Sequence, residues 1–107
     1  MQNVDGQIAT VNTYSAANAS RTAGTYTVSN ASSSSVVSEL IVGTMTIVVD
    51  GTGAATASGF LGGRNNAVGD TITVPDGSLG GGGAPDLTFL VASVTDGTGV
   101  GSGAQVT

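Results

Sequence analysis

Thr71-Ile72-Thr73-Val74-Pro75-Asp76-Gly77 and, after a glycine run, Asp86-Leu87-Thr88-Phe89-Leu90-Val91-Ala92-Ser93-Val94 form the stretch that decides the fold. In its first part apolar residues alternate with threonines, the pattern of a strand with one greasy and one polar face. In its second part Leu87, Phe89 and Val91 point one way, and Leu90, Ala92 and Val94 the other. A strand apolar on both faces is expected to be buried on both, so Leu87–Val94 is placed centrally in its sheet as the most buried element. Between the two strands, Pro75-Asp76-Gly77 and the glycines from Gly80 to Gly83 read as a loop. Neither strand carries a nucleophile or an acid–base pair.

Upstream, Thr44–Val49 alternates, with Met45, Ile47 and Val49 on one face and threonines on the other. Gly43 before it marks a bulge or break. Asp50-Gly51 is a strong turn dipeptide, so residues 54–60 are expected to return as the second strand of a hairpin. Residues 62–66, Gly-Gly-Arg-Asn-Asn, form another turn cluster. Residues 25–29 read as a short strand with Tyr26 and Val28 on one face, and residues 30–35 as a polar loop whose serines make a solvated turn. Residues 7–14 have strand character. Residues 16–19 could form one helical turn, too weakly apolar to be stable. Three parts follow: an N-terminal arm over 1–24, a β domain over 25–96 and a Gly-rich C-terminal tail over 97–107. The fold expected is all-β, a small sandwich or barrel of about six to eight short antiparallel strands joined by Gly/Asp-rich turns.

Four blocks in order, Gly24-Thr25-Tyr26-Thr27, Asp50-Gly51-Thr52-Gly53, residues 67–75 (AVGDTITVP) and residues 86–94 (DLTFLVASV), carry a resemblance. Together they resemble a module that recurs in structural proteins of tailed bacteriophages, marine and cyanobacterial ones especially, in fibres and other virion components. The likeness spans residues 24–95. It departs from the module at Asn66, where an aromatic usually precedes Ala-Val-Gly-Asp, so the packing at that corner must differ. The resemblance implies a virion protein, made in the host cytoplasm, with a major capsid or other virion protein as partner.

Composition narrows the classes. The 107 residues suit one domain. Val, Ile, Leu and Phe number 25, above the level at which disorder is the default. Large side chains are few, with two Phe, two Tyr and no Trp, so the core is thin. Thin cores are supplemented by disulfides, metals or oligomerisation. With no Cys, subunit contacts are the expected supplement, and a homo-oligomer, a trimer in preference, is anticipated. The net charge is −5, and Arg21 and Arg64 are the only cations. That leaves no electrostatic footprint for nucleic acid and would repel an anionic membrane. Residues 1–5 lack the basic and apolar regions of a signal peptide. No run approaches the ~18 apolar residues of a membrane span.

The absence of His, Cys and Lys removes the common nucleophile–base pairs, thiolate or imidazole metal sites and Schiff-base chemistry. Paired carboxylates could cut glycosidic bonds. Here, however, Asp50, Asp70, Asp76, Asp86 and Asp96 all stand in turn contexts, where Asp bonds nearby backbone N–H groups. Residues 81–86 approach a calcium β-roll repeat but lack its third glycine and its tandem stacking, as do residues 62–70. Residues 99–104 fit a loose phosphate-loop pattern with no helix to follow. Asn18-Ala19-Ser20 and Asn30-Ala31-Ser32 match the glycosylation pattern by composition alone. Asp96-Gly97-Thr98-Gly99 repeats residues 50–53, too briefly to establish a duplication.

No enzyme, no catalytic or metal site and no cofactor is therefore expected. The expected function is a structural virion protein. Length favours a small capsid decoration (cement) protein that binds and reinforces the shell lattice. A phage fibre or tail subunit is the alternative, and a carbohydrate-binding β domain for host attachment is the rival from another class. Residues 1–24, 97–107 or both are expected to contact other subunits rather than their own domain, because so polar an arm buries too little to offset the entropy of ordering it.

Overall fold

A computed structural model describes residues 6–35 and 40–95. It is a two-layer β-sandwich. One sheet orders its strands β1 (Ile8–Asn12), β7 (Leu87–Val94), β6 (Thr71–Val74) and β3 (Ser32–Ser33). The other orders β2 (Gly24–Val28), β4 (Thr44–Val49) and β5 (Ala55–Leu61). Every pairing between named strands is antiparallel.

The core is the product of the alternation. Met45, Ile47 and Val49 of β4 face Ile72 and Val74 of β6 and Leu87, Phe89 and Val91 of β7, all buried. The Asp50-Gly51 hairpin forms as expected, with Val49 opposite Ala55. Gly43 has a φ of 92°, and the register of β4 against β5 slips just after it, between Thr44 and Thr46. That slip lets Ala55, Ala57 and then Phe60 all turn inward.

β7 is central, between β1 and β6, but it is enclosed on one face only. Leu87, Phe89 and Val91 are buried, and Val94, beyond the β1–β7 register shifts, packs partly buried against the core, whereas Leu90 and Ala92 are half-buried on the outer face. A two-layer sandwich has no third layer to cover the outer face.

The N-terminal segment corrects the expectation of a separate arm over its described part. Residues 8–12 are β1, paired along β7 from Ile8–Val94 to Asn12–Leu90, and Ile8 is buried in the core. Gly6 and Gln7 continue the pairing: Gly6 N–H donates to Thr95 C=O at 2.9 Å, and Thr95 N–H donates to Gln7 C=O at 2.8 Å. Ile8, Val11 and Tyr14 suffice because the partner strand supplies the rest of the apolar surface. Residues 16–19 form no helical turn. The serine loop also differs: Ser32 and Ser33 add a two-residue edge strand to β6 through backbone bonds that leave no apolar trace in the sequence. The tail over 97–107, the second Asp-Gly-Thr-Gly and the loose phosphate pattern lie outside the described residues.

Candidate functional site

Each aspartate among the described residues is tied to a turn. Asp50 Oδ1 accepts from Thr52 N–H at 2.9 Å, Thr52 hydroxyl at 2.6 Å and Ala54 N–H at 3.2 Å. The Thr52 hydroxyl, then the Thr52 and Ala54 amides, hold its carboxyl below the ordinary value of 3.8. Asp70 is buried and accepts from Ala67 N–H at 3.0 Å and from the Ser35 hydroxyl, closing the turn before β6 onto the serine segment. Asp86 Oδ1 accepts from Asp76 N–H, and Asp76 Oδ2 accepts from Gly83 N–H at 3.0 Å. These two bonds shape the β6–β7 loop, which carries a 3-10 turn at Asp76–Leu79 rather than an irregular path throughout. Among the described residues no three His, Cys, Asp or Glu gather as a metal cluster. Asp5, Glu39 and Asp96 lie outside the described residues.

The glycosylation-pattern asparagines are similarly engaged. Asn18 Oδ1 accepts from Ser20 N–H, and Asn30 Oδ1 accepts from the Ser78 hydroxyl.

Three residues, Arg21, Tyr14 and Asn66, do the cross-linking. Arg21 is only 5% exposed. Its guanidinium donates to the carbonyls of Ala16 and Gly53 at 3.0 Å and of Pro85 at 3.4 Å. It thereby pins the segment after β1 to the β4–β5 hairpin and the β6–β7 loop. Tyr14 closes the free edge of β5: its hydroxyl accepts from Ala57 N–H at 2.9 Å and donates to Ala57 C=O at 3.4 Å, while its ring lies 5.5 Å from that of Phe89. Asn66 is buried where an aromatic was expected, and its Nδ2 donates to the carbonyls of Gly6 and Ile41, both at 2.9 Å. Polar bonds thus build the corner that the departure from the module put in question. A buried arginine or asparagine leaves no periodic signal, since its acceptors are backbone carbonyls far away in sequence.

The surface offers two features. A groove of about 510 Å³ runs between β1 and β5, lined by Ile8, Val11, Ala57, Gly59 and Phe60 among others, with no charged side chain. At the ends of the 61–68 turn Leu61 (65% exposed) and Val68 (64%) stand exposed, as do Ile41 beside it and Val48 on β4. Ile41 is bridged to Arg64 there, and Phe60, the one aromatic side chain of the groove lining, is buried. Both tyrosines are half-buried, and the Tyr26 hydroxyl donates to Thr22 C=O. No helix of the described residues is long and apolar enough to cross a membrane.

No protein-family model, curated protein or solved structure matches the chain.

Proposed function

We propose that this chain is a structural protein of a tailed-phage virion, and specifically a small decoration protein that binds and reinforces the capsid lattice. The observation that carries this reading is the exposure of Leu61 and Val68, and to a lesser degree Ile41 and Val48, on a domain with few large apolar residues to spend. A small β-sandwich gains nothing in solution by exposing two aliphatic side chains by nearly two thirds. Seated on a partner, each such side chain contributes about 1.5–3 kcal/mol of burial. The turn duties of the described aspartates support an assembly role over catalysis. The resemblance over residues 24–95 supplies the virion setting. Residues 97–107, which lie outside the described residues, are proposed to contact other subunits, and the chain is proposed to form a homo-oligomer.

Co-sedimentation of the purified chain with phage particles from its source population tests the reading. Wild type should pellet with particles, and Leu61→Asp with Val68→Asp should lose most of that binding while keeping the β-sheet circular dichroism signal. Equal recovery of the folded variant with particles would overturn the assignment of this surface. Absence of any particle binding by the wild type would overturn the function.

A further inference from the structure

We infer that β2 is an assembly edge, paired antiparallel with β2 of a second copy across a two-fold axis centred on Tyr26. This rests on the proposed assembly role and adds a specific contact to it.

The four sheet edges are treated differently. β1 carries two register shifts against β7. β3 has two residues. β5 has its Ala57 backbone capped by Tyr14, a register slip near its end, and Gly62 N–H bonded to Gln7 Oε1 at 2.9 Å. Each is a device that discourages further pairing. β2 has none of them. It pairs with β4 without a slip over five residues, from Gly24–Val49 to Val28–Met45, and carries no charge and no proline.

The ladder's parity shows which groups are open. The Tyr14 hydroxyl takes both Ala57 backbone groups, so Ala57 and its partner Ile47 do not bond each other. Ile47 therefore directs its N–H and C=O to Tyr26 across the β2–β4 ladder. The alternate residues, Thr25 and Thr27, then point theirs outward. Both are exposed, and no backbone bond among the described residues closes that edge.

The identity of the occupant follows from the sequence of the edge. Thr25-Tyr26-Thr27 reads the same in both directions. In a two-fold antiparallel pair, Thr25 of each copy bonds Thr27 of the other through both N–H and C=O, and the two Tyr26 residues sit opposite each other. Cross-strand threonine and aromatic pairs are favourable. Such a contact is isologous, the commonest kind between identical chains. Charge permits it, because residues 22–35 hold no charged side chain in a chain of net charge −5, and the described acids lie on turns. A five-residue strand pair falls below the ~1,200 Å² of a stable interface, so it is weak between free copies and strong between copies held side by side on a lattice.

The test uses the full chain, which has no native cysteine. Opposed residues of a non-bonded pair lie about 4.5 Å apart at Cα, within disulfide range. Y26C should therefore form a disulfide dimer under oxidation, whereas T25C, whose copies sit two positions out of register, should not. Sedimentation equilibrium up to about 1 mM, the range of weak interfaces, should show wild-type dimers and, for T27P, an association about tenfold weaker or more. T27P removes an outward N–H and no β2–β4 bond, and circular dichroism checks that it folds. Equal cross-linking of Y26C and T25C, no cross-link at all, unaltered association of T27P, or cross-linking of Y26C only to a different virion protein would each overturn the pairing. Y26C dimers in a chain that never binds particles would refute the virion role and leave the pairing standing. Full particle binding without any cross-link would do the reverse.

Discussion

Phe89→Ala is the sharpest probe of the core. Phe89 is 1% exposed, lies opposite Ile72 in the β6–β7 ladder and packs its ring against Tyr14. Truncation removes most of a buried aromatic side chain from a site enclosed by both sheets, at a cost of about 3–5 kcal/mol. Loss of the tilted ring pair with Tyr14 contributes about 0.5–1.5 kcal/mol to that cost. A domain of this size has roughly 5–15 kcal/mol in total, so the variant should be marginal or unfolded at 37 °C. Urea denaturation followed by far-ultraviolet circular dichroism measures the difference from midpoint and slope, and Phe89→Leu supplies a milder variant that stays folded. A loss below about 1 kcal/mol for Phe89→Ala would show that β7 is not enclosed, and the two-layer packing would be wrong.

Gly53→Ala should cost at least about 2 kcal/mol, because Gly53 has a φ of 83° and an added Cβ would run into the Asn18 carbonyl; Gly51→Ala in the same turn, with open space around it, should change stability by less than about 0.5 kcal/mol in the same urea assay. Tyr14→Phe should lose about 1–2 kcal/mol and speed hydrogen exchange at the Ala57 amide. The Asp50 carboxyl is held below its ordinary 3.8, so its contribution is full above that value and is lost as pH falls through the lower folded value; Asp50→Asn should flatten the loss of stability on acidification below about pH 4. Deleting residues 1–20 should abolish folding rather than merely release the chain from a particle, since it strips β1 from β7 and removes Tyr14; a cooperative unfolding transition in the truncated chain would count against the observed sheet.

Sequence pattern was informative where alternation and turn chemistry coincide. β4 and β6 could be read from period-two patterning, and β5 as the return strand of the Asp50-Gly51 hairpin. The turn duties of Asp50, Asp70, Asp76 and Asp86 followed from their glycine and proline neighbours. β1 was legible as a strand but not as a member of the sheet, because its partner lies some 80 residues away and nothing local in Ile8–Asn12 records that pairing. β3 rests on backbone bonds alone. The outer face of β7 shows the limit of the two-faced apolar pattern: Leu90 and Ala92 are half-buried with no third layer over them, while Val94, beyond the β1–β7 register shifts, packs against the core. Arg21 was silent and Asn66 stood out only as a departure at its corner, since each satisfies carbonyls brought together only by the finished fold. The exposed Leu61 and Val68 stand out only once burial is known, since isolated aliphatic residues in turns look like any others.

Quantitative mass spectrometry of phage particles purified from the source population measures the virion role most directly. The expected result is this chain as an abundant component in fixed proportion to the major capsid protein, retained through density-gradient purification. Its absence from particles that carry the rest of the virion proteins, with the chain recovered only in the soluble lysate, would contradict the decoration role outright.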